Sequence, residues 1–240
     1  MQDLVFVHGL GESARCFDEL RAHPDLAHVR THAPDLPGYG DEAAPNPLSL
    51  DEVVAWLAAW ARARGLAGTW VGHSLGGVLV TLVAERYPDL VAGLVDIDGN
   101  LSGDDTLQSR VIAASSLELF QATGFDRLAE ALQSHVDATN DRAVQRYLTS
   151  LRRADRASLH RHAIELVALS RSETLAARLA AVPVPVVYLA GVPGGVSRRS
   201  LGLLDRAGVR WRGIEPSGHW PFVDRLDDVA RELVSFLALA

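Results

Sequence analysis

Lysine is absent from this sequence: all 23 basic residues are arginine, and they are outnumbered by 30 acidic residues. The formal net charge is therefore -7 at pH 7, and the arginines are dispersed along the chain rather than gathered in one stripe. A groove for nucleic acid needs a concentrated basic surface. The composition therefore predicts a protein without a nucleic-acid partner.

Cysteine and long apolar runs are also scarce. Cys16 is the single cysteine, so no disulfide can form within the chain. No activating motif surrounds it, and we interpret it as a small, packed hydrophobic residue. No apolar run reaches the ~18 residues that a membrane helix requires, and no signal peptide precedes the first predicted strand. We therefore expect a cytoplasmic protein without a membrane partner.

The nine histidines do not occur at the spacing of a metal site. His160 and His162 are two positions apart on a predicted helix, so their side chains diverge. The sequence therefore predicts neither a metal nor another cofactor.

Apolar runs alternate with amphipathic segments along most of the chain. The predicted strands are 4–7, 29–33, 69–72, 91–98, 184–190 and 209–214. The predicted helices of the same pattern are 13–22, 50–64, 75–87, 197–207 and 227–239. This alternation is typical of a parallel sheet with helices on both faces. It predicts an α/β fold with a doubly wound, mostly parallel sheet, whose ligand edge lies at the carboxyl ends of the strands.

After Leu101 the alternation stops for about eighty residues and helical periodicity replaces it, for example at Leu128, Leu132 and Val136. We interpret this helical block as an insertion that covers the ligand edge and lines the substrate pocket. The predicted division of the chain is a core of residues 1–101 and 182–240 and a helical cap, or lid, of residues 102–181.

Gly72-His73-Ser74-Leu75-Gly76 matches the pattern G-x-S-x-G between a predicted strand and a predicted helix. Such a turn is tight and strained, and it exposes the serine hydroxyl with a helix N-terminus beneath it. A phosphate-binding loop would need a following lysine, which this chain lacks. We therefore interpret Ser74 as a nucleophile.

Four motifs together resemble the α/β-hydrolase family in their order and spacing. They are His8-Gly9-Leu10-Gly11, Asp35-Leu36-Pro37-Gly38-Tyr39-Gly40, Gly72-His73-Ser74-Leu75-Gly76-Gly77 and Gly218-His219-Trp220-Pro221-Phe222. The resemblance covers nearly the whole chain except the predicted cap. It says little about the substrate, because this fold serves many chemistries. A serine at the nucleophile position is unlike the aspartate of the dehalogenases and epoxide hydrolases in the family.

The resemblance implies roles for further residues. In similar proteins the oxyanion hole consists of the backbone N–H groups after the nucleophile and after the His-Gly pair, which correspond here to Leu75 and Leu10. The general base is a histidine near the C-terminus, which corresponds to His219 in a glycine- and proline-containing loop. We interpret His8 as a residue that stabilises its loop.

The acid of a Ser-His-acid triad is missing from its usual place. In most relatives it follows the strand predicted here at 184–190, yet no carboxylate occurs between Glu173 and Asp205. Asp98 ends the strand after the nucleophile helix at the same sheet edge, an arrangement similar to that of certain lipases and haloalkane dehalogenases. We therefore predict that Asp98 orients His219. The alternatives are Asp96 on the same strand, then Asp104 and Asp105, or a Ser-His dyad without an acid.

These assignments imply a serine hydrolase that acts by acyl transfer on a small, fairly apolar ester, lactone or related acyl substrate. The alternatives within the fold are a carbon-carbon bond hydrolase, a thioesterase and a cofactor-free haloperoxidase-like enzyme. A non-enzymatic small-molecule receptor is the alternative of another class. We expect a small-molecule substrate and a monomer or homodimer.

Overall fold

The computed structural model, which describes residues 2–238, is organised around one six-stranded sheet. Its strands are β1 (Asp3–Val7), β2 (Arg30–His32), β3 (Gly68–His73), β4 (Val91–Ile97), β5 (Val186–Gly194) and β6 (Trp211–Gly218). They lie in the order β2-β1-β3-β4-β5-β6, and every neighbouring pair runs parallel. The predicted α/β fold with a doubly wound, mostly parallel sheet is confirmed.

Strand β1 shows why the sheet must be covered on both faces. All five of its residues are buried, and successive side chains of a strand point to opposite faces. Leu4 and Phe6 therefore pack into one hydrophobic core, and Val5 and Val7 pack into another. A sheet with two apolar faces is stable in water only when helices cover both.

Helices supply that cover. They are α1 (Asp18–Arg21), α2 (Leu50–Arg62), α3 (Leu75–Arg86), α4 (Leu107–Ala113), α5 (Leu117–Leu119), α6 (Phe125–Thr139), α7 (Arg142–Leu151), α8 (Arg156–Arg171), α9 (Leu175–Ala181), α10 (Arg198–Ala207), α11 (Pro221–Asp224) and α12 (Leu226–Leu237). Leu57 of α2 and Val78 of α3 join the core that contains Val5, whereas Leu233 of α12 joins the core that contains Leu4.

The ends of the helices differ in part from the prediction. The helix predicted at 13–22 is a short 3-10 turn, Ala14–Phe17, followed by α1. The Ser13 hydroxyl makes no capping bond there and lies 3.3 Å from the hydroxyl of Ser150. The last helix ends at Leu237, and its predicted end at Leu239 lies outside the described residues. No helix within residues 2–238 is long and apolar enough to cross a membrane.

Strands β5 and β6 extend further toward the ligand edge than the strands predicted at 184–190 and 209–214, so the predicted ends were wrong. The last paired residues are Gly194 and Gly218. A Cβ atom at Gly191 would lie 2.0 Å from the carbonyl oxygen of Gly218. Glycine therefore lets the two strands continue side by side beyond their apolar runs, and an apolar pattern cannot reveal such an extension.

The segment between β4 and β5 is helical, as the lost alternation indicated, and it contains α4 to α9. It packs directly on the rest of the chain. The Glu165 carboxylate of α8 accepts a 2.7 Å hydrogen bond from the backbone N–H of Leu50, and the Tyr39 hydroxyl lies 2.8 Å from Nδ1 of His162. The division into a core and a cap at residues 102 and 181 stays a prediction.

The close contact between α3 and β1 predicts the effect of one methyl group. A Cβ at Gly76 would lie 2.0 Å from the carbonyl oxygen of Val7, and backbone atoms cannot yield as a flexible side chain would. Gly76→Ala should therefore lower the free energy of unfolding by about 3 kcal/mol, measured by urea denaturation.

Gly202→Ala in α10 is the matched control, because the nearest atom to its added Cβ is a guanidinium nitrogen of Arg206 at 3.4 Å. This change should raise the free energy of unfolding by about 0.5–1 kcal/mol, since alanine favours a helix over glycine. Equal stability of the two variants would contradict the close-packing argument.

Candidate active site

The carboxyl ends of the strands enclose a cavity of about 350 Å³. Ser74 follows β3, Asp98 follows β4 and His219 follows β6, and all three residues line this cavity. In a parallel sheet these ends meet at one edge. The structure thus brings together three residues that are far apart in the sequence.

Ser74 occupies a strained turn between β3 and α3. Its φ is 53° and its ψ is -120°, a conformation that costs free energy for a residue with a side chain. The turn fits because a Cβ at Gly72 would lie 2.3 Å from the carbonyl oxygen of Gly76, so the strand and the helix could not approach this closely with larger residues. The Ser74 backbone N–H donates to the carbonyl of Ile97 at 3.1 Å, which ties the turn to β4.

The Ser74 hydroxyl donates to Oδ1 of Asn100 at 3.3 Å. Within residues 2–238 it has no hydrogen bond to the His219 ring, although both groups line the same cavity. Such bonds are often long in an enzyme without substrate and shorten when substrate binds. The Asn100 amide is itself held, because its Nδ2 donates to the carbonyl of Asp105 at 2.9 Å.

Asp98 and His219 form a short hydrogen bond, with 2.6 Å between Oδ2 and Nδ1. The Asp98 side chain is fully buried, and its Oδ1 accepts the backbone N–H groups of Gly191 at 2.9 Å and Val196 at 3.0 Å. Burial alone would lower the pKa of His219, but the hydrogen bond and the charge of Asp98 outweigh it, so the pKa is raised above 6.5. Nδ1 therefore carries a proton that Asp98 accepts, which leaves Nε2 as the basic nitrogen of neutral His219.

The other candidate carboxylates point elsewhere. Asp96 is buried and accepts the backbone N–H of Gly99 at 2.9 Å, and burial raises the pKa of Asp96 well above its ordinary value. Asp105 accepts the N–H groups of Leu101 and Ser197, and Asp104 is exposed. Among the described residues Asp98 is the carboxylate that bonds the His219 ring.

Two backbone N–H groups flank the serine. Leu75 is the first residue of α3, and the first N–H groups of a helix have no partner within it. Leu10 lies in the loop after β1 and lines the cavity. Among the described residues, neither N–H donates a hydrogen bond to a backbone carbonyl of a turn, loop or helix cap. Both are therefore available to a negatively charged oxygen.

His8 has the contacts of a residue that stabilises its loop. Its Nδ1 donates to the carbonyl of Gly9 at 2.9 Å, and its Nε2 accepts the backbone N–H of Leu36 at 3.0 Å. Burial lowers the pKa of His8, in agreement with a neutral ring whose nitrogens are both occupied. Cys16 packs partly buried against the core, and burial raises the pKa of its thiol.

Sequence reasoning missed Glu12, His73, Asn100 and Trp220 as parts of the site. All four line the cavity, and the Glu12 carboxylate bonds both His73 and Trp220. The sequence signals for these residues were weak. His73 occupies a position of G-x-S-x-G where any residue fits the pattern, and Glu12 is one acidic residue after a glycine-rich turn. Within residues 2–238 no group of three or more His, Cys, Asp or Glu residues is arranged to hold a metal.

Comparisons with known proteins show the family of this chain. The model of the alpha/beta hydrolase family matches residues 4–232. A protein of Sodalis glossinidius named pimeloyl-[acyl-carrier protein] methyl ester esterase is 32% identical, over 99% of this chain and 94% of the relative. A protein of the same name from Edwardsiella ictaluri is 30% identical, over 98% and 93% of the two chains.

Solved structures support the same fold. A thermophilic esterase from Thermogutta terrifontis superimposes with a TM-score of 0.80 at 19% identity, over 99% of this chain and 90% of that one. An enol-lactonase from Burkholderia xenovorans superimposes with a TM-score of 0.78 at 17% identity, over 99% and 91%. The family match over nearly the whole chain and the 32% identical relative show that this chain is an enzyme of the alpha/beta hydrolase family.

Proposed function

We propose that this enzyme is a serine esterase that acts by acyl transfer on a small, fairly apolar ester or lactone, with Ser74 as nucleophile, His219 as base and Asp98 as acid. The observation that carries the proposal is the 2.6 Å bond between Asp98 and His219 beside the cavity that also contains Ser74. The similarity to proteins named methyl ester esterases supports an ester as the substrate class.

The proposed reaction starts with transfer of the Ser74 proton to Nε2 of His219 as Oγ attacks the carbonyl carbon of the ester. The carbonyl oxygen becomes negatively charged, and the N–H groups of Leu10 and Leu75 stabilise it. The charge of Asp98 stabilises the His219 imidazolium. When the carbon-oxygen bond breaks, the leaving alkoxide takes the proton from Nε2 and the acyl group stays on Ser74. Water, deprotonated by His219, then releases the acid and restores Ser74.

The cavity supports an uncharged substrate of modest size. Its volume is about 350 Å³, near the lower limit of ordinary small-molecule sites. Leu107, Leu166 and Val196 are among its apolar lining residues. No arginine occurs among the described lining residues, and Asp104 and Asp105 are among them, so a free carboxylate on the substrate would find no guanidinium to pair with and two acidic neighbours. Leu107 and Leu166 come from the helices of the predicted cap, which we propose selects the acyl group.

Ser74→Ala should lower kcat by roughly three or more orders of magnitude, because the covalent step loses its nucleophile. Hydrolysis is measured on a panel of p-nitrophenyl esters, lactones and thioesters, which also separates an esterase from a lactonase or thioesterase. Ser134→Ala is the control, since this exposed hydroxyl bonds its own helix and should be dispensable. Turnover near the wild-type level in Ser74→Ala would contradict the serine mechanism.

Asp98→Asn should lower kcat by roughly two to four orders of magnitude, because the amide keeps its size but cannot stabilise the imidazolium. Asp96→Asn is the matched control on the same strand. The Asp96 carboxyl bonds the backbone N–H of Gly99 and not the His219 ring, and an amide oxygen can accept the same bond, so Asp96→Asn should cost little in kcat. An equal loss of kcat in both variants would contradict the proposed role of Asp98.

The raised pKa of His219 determines the response to pH. Only the neutral ring can accept the Ser74 proton, so kcat/KM should fall as the pH decreases through a midpoint above the ordinary histidine value of about 6.5. In Asp98→Asn burial continues to lower the pKa of His219 while the charge of Asp98, with its hydrogen bond the largest contribution that raises it, is lost, so the midpoint should move to lower pH. A pH profile with a fluorogenic ester tests this, and an unchanged midpoint would contradict it.

A further inference from the structure

We propose that Glu12 and His73 form a buried ion pair that positions the nucleophile turn, the oxyanion loop and the base loop relative to one another. The inference rests on the proposed function, because it assigns these two residues the role of holding that site together. Neither residue needs to touch the reacting atoms in this role, so both are positioning residues.

The Glu12 carboxylate accepts hydrogen bonds from three separate segments. Its Oε2 accepts the backbone N–H of Gly9 at 2.6 Å and lies 2.8 Å from Nδ1 of His73, and its Oε1 accepts the indole N–H of Trp220 at 2.6 Å. Only 3% of the side chain is exposed. A buried carboxylate is stable only when such donors and a positive charge compensate the loss of water.

The first of these bonds shapes the loop that contains Leu10. The Glu12 backbone N–H donates to the carbonyl of Gly9 at 3.2 Å while the Glu12 side chain accepts the Gly9 N–H. The two bonds close a tight turn in which Leu10 is an inner residue. The conformation of Leu10, whose N–H is the proposed oxyanion donor, is thus fixed by Glu12.

His73 connects this turn to the base. Its Nδ1 faces the Glu12 carboxylate, and its Nε2 lies 2.8 Å from the backbone carbonyl oxygen of His219. A carbonyl oxygen and a carboxylate can only accept, so both ring nitrogens of His73 must donate and the ring must be an imidazolium. Burial would raise the pKa of Glu12, but the charge and hydrogen bond of His73, together with the other donors, lower it to about 2. The acid is therefore ionised.

Two contacts hold the base, and the pair supplies one of them. Asp98 holds the ring of His219, and His73 holds its backbone carbonyl. Since His73 is the residue before Ser74, its bond to His219 sets the distance between nucleophile and base. The two rings are close, with 4.8 Å between the centroids of His73 and His219. An uncompensated charge on His73 would disfavour the catalytic imidazolium, and Glu12 compensates it.

Glu12→Gln tests the pair, because an amide cannot serve all three donors. One of its terminal atoms becomes an NH₂ group, which must face either the Trp220 indole N–H or the Gly9 N–H as a second donor. His73→Gln removes the partner instead. Each variant should lower kcat by about 100-fold with little change in KM, because the reacting groups are misplaced while the cavity remains. The double variant should lose about as much as either single variant, since both act through one pair.

His162→Gln is the matched control. His162 is also buried with both ring nitrogens within hydrogen-bond distance of a partner, at 2.8 Å from the Tyr39 hydroxyl and 2.9 Å from the Leu48 carbonyl, but it does not line the cavity. This variant should lose stability while its folded fraction keeps the wild-type kcat. If kcat per folded molecule falls as much in His162→Gln as in Glu12→Gln, the loss is structural and the positioning role is overturned.

Nitrogen-15 NMR of the histidine rings gives a readout that does not need a substrate. In the wild type, the His73 ring, assigned by comparison with His73→Gln, should show protons on both nitrogens, and Glu12→Gln should remove one of them. A single protonated nitrogen in the wild type would overturn the ion pair even if esters are hydrolysed. Failure of the wild type to hydrolyse any compound of the panel would instead contradict the proposed function, and the NMR result alone would then decide the pair.

Discussion

The positive φ of Ser74 is the constraint around which the ligand edge is organised. The backbone must turn sharply between β3 and α3, and this turn needs neighbours without side chains. A Cβ at Gly76 would strike the carbonyl of Val7, and one at Gly9 would lie 3.1 Å from the Cβ of Ser74. The glycines of the serine motif and of the loop after β1 are therefore a packing requirement as well as a family pattern. Once they allow α3 to approach β1, the serine hydroxyl and the free N–H groups of Leu10 and Leu75 lie at the same edge.

The glycine-rich end of β5 has a related explanation. In the sequence it is conspicuous because no carboxylate occurs there, whereas in the structure it encloses the carboxylate of Asp98. The N–H groups of Gly191 and Val196 donate to that carboxylate, and a Cβ at Gly195 would lie 2.5 Å from its oxygens. A carboxyl-bearing side chain on β5 and a buried Asp98 would compete for the same space. The lack of a carboxylate at the end of β5 and the buried Asp98 after β4 thus have the same packing explanation.

The sequence predicted the features that depend on local pattern. The alternation of strands and helices was sufficient for the parallel sheet, and the spacing of G-x-S-x-G was sufficient to place Ser74 at the turn. The ends of β5 and β6 were missed because glycines pair there without an apolar signal. Glu12 and His73 were missed because their contacts join residues 61 positions apart, and no local pattern reports which buried acid will face which histidine. The position of Asp98 beside His219 was predicted by elimination, and its enclosure by backbone N–H groups was not.

The carboxyl groups near the cavity differ in how their charge is compensated, and this difference bears on which group responds to pH. Glu12 is ionised beside His73, whereas burial raises the pKa of Asp96 well above its ordinary value. Asp98 accepts a short hydrogen bond from Nδ1 of His219. Groups whose pKa lies far from neutrality keep a constant charge during turnover. Burial lowers the pKa of His219, but the hydrogen bond and charge of Asp98 raise it above its ordinary value. Asp98 therefore favours the protonated ring, which is what the proposed base becomes when it takes the Ser74 proton.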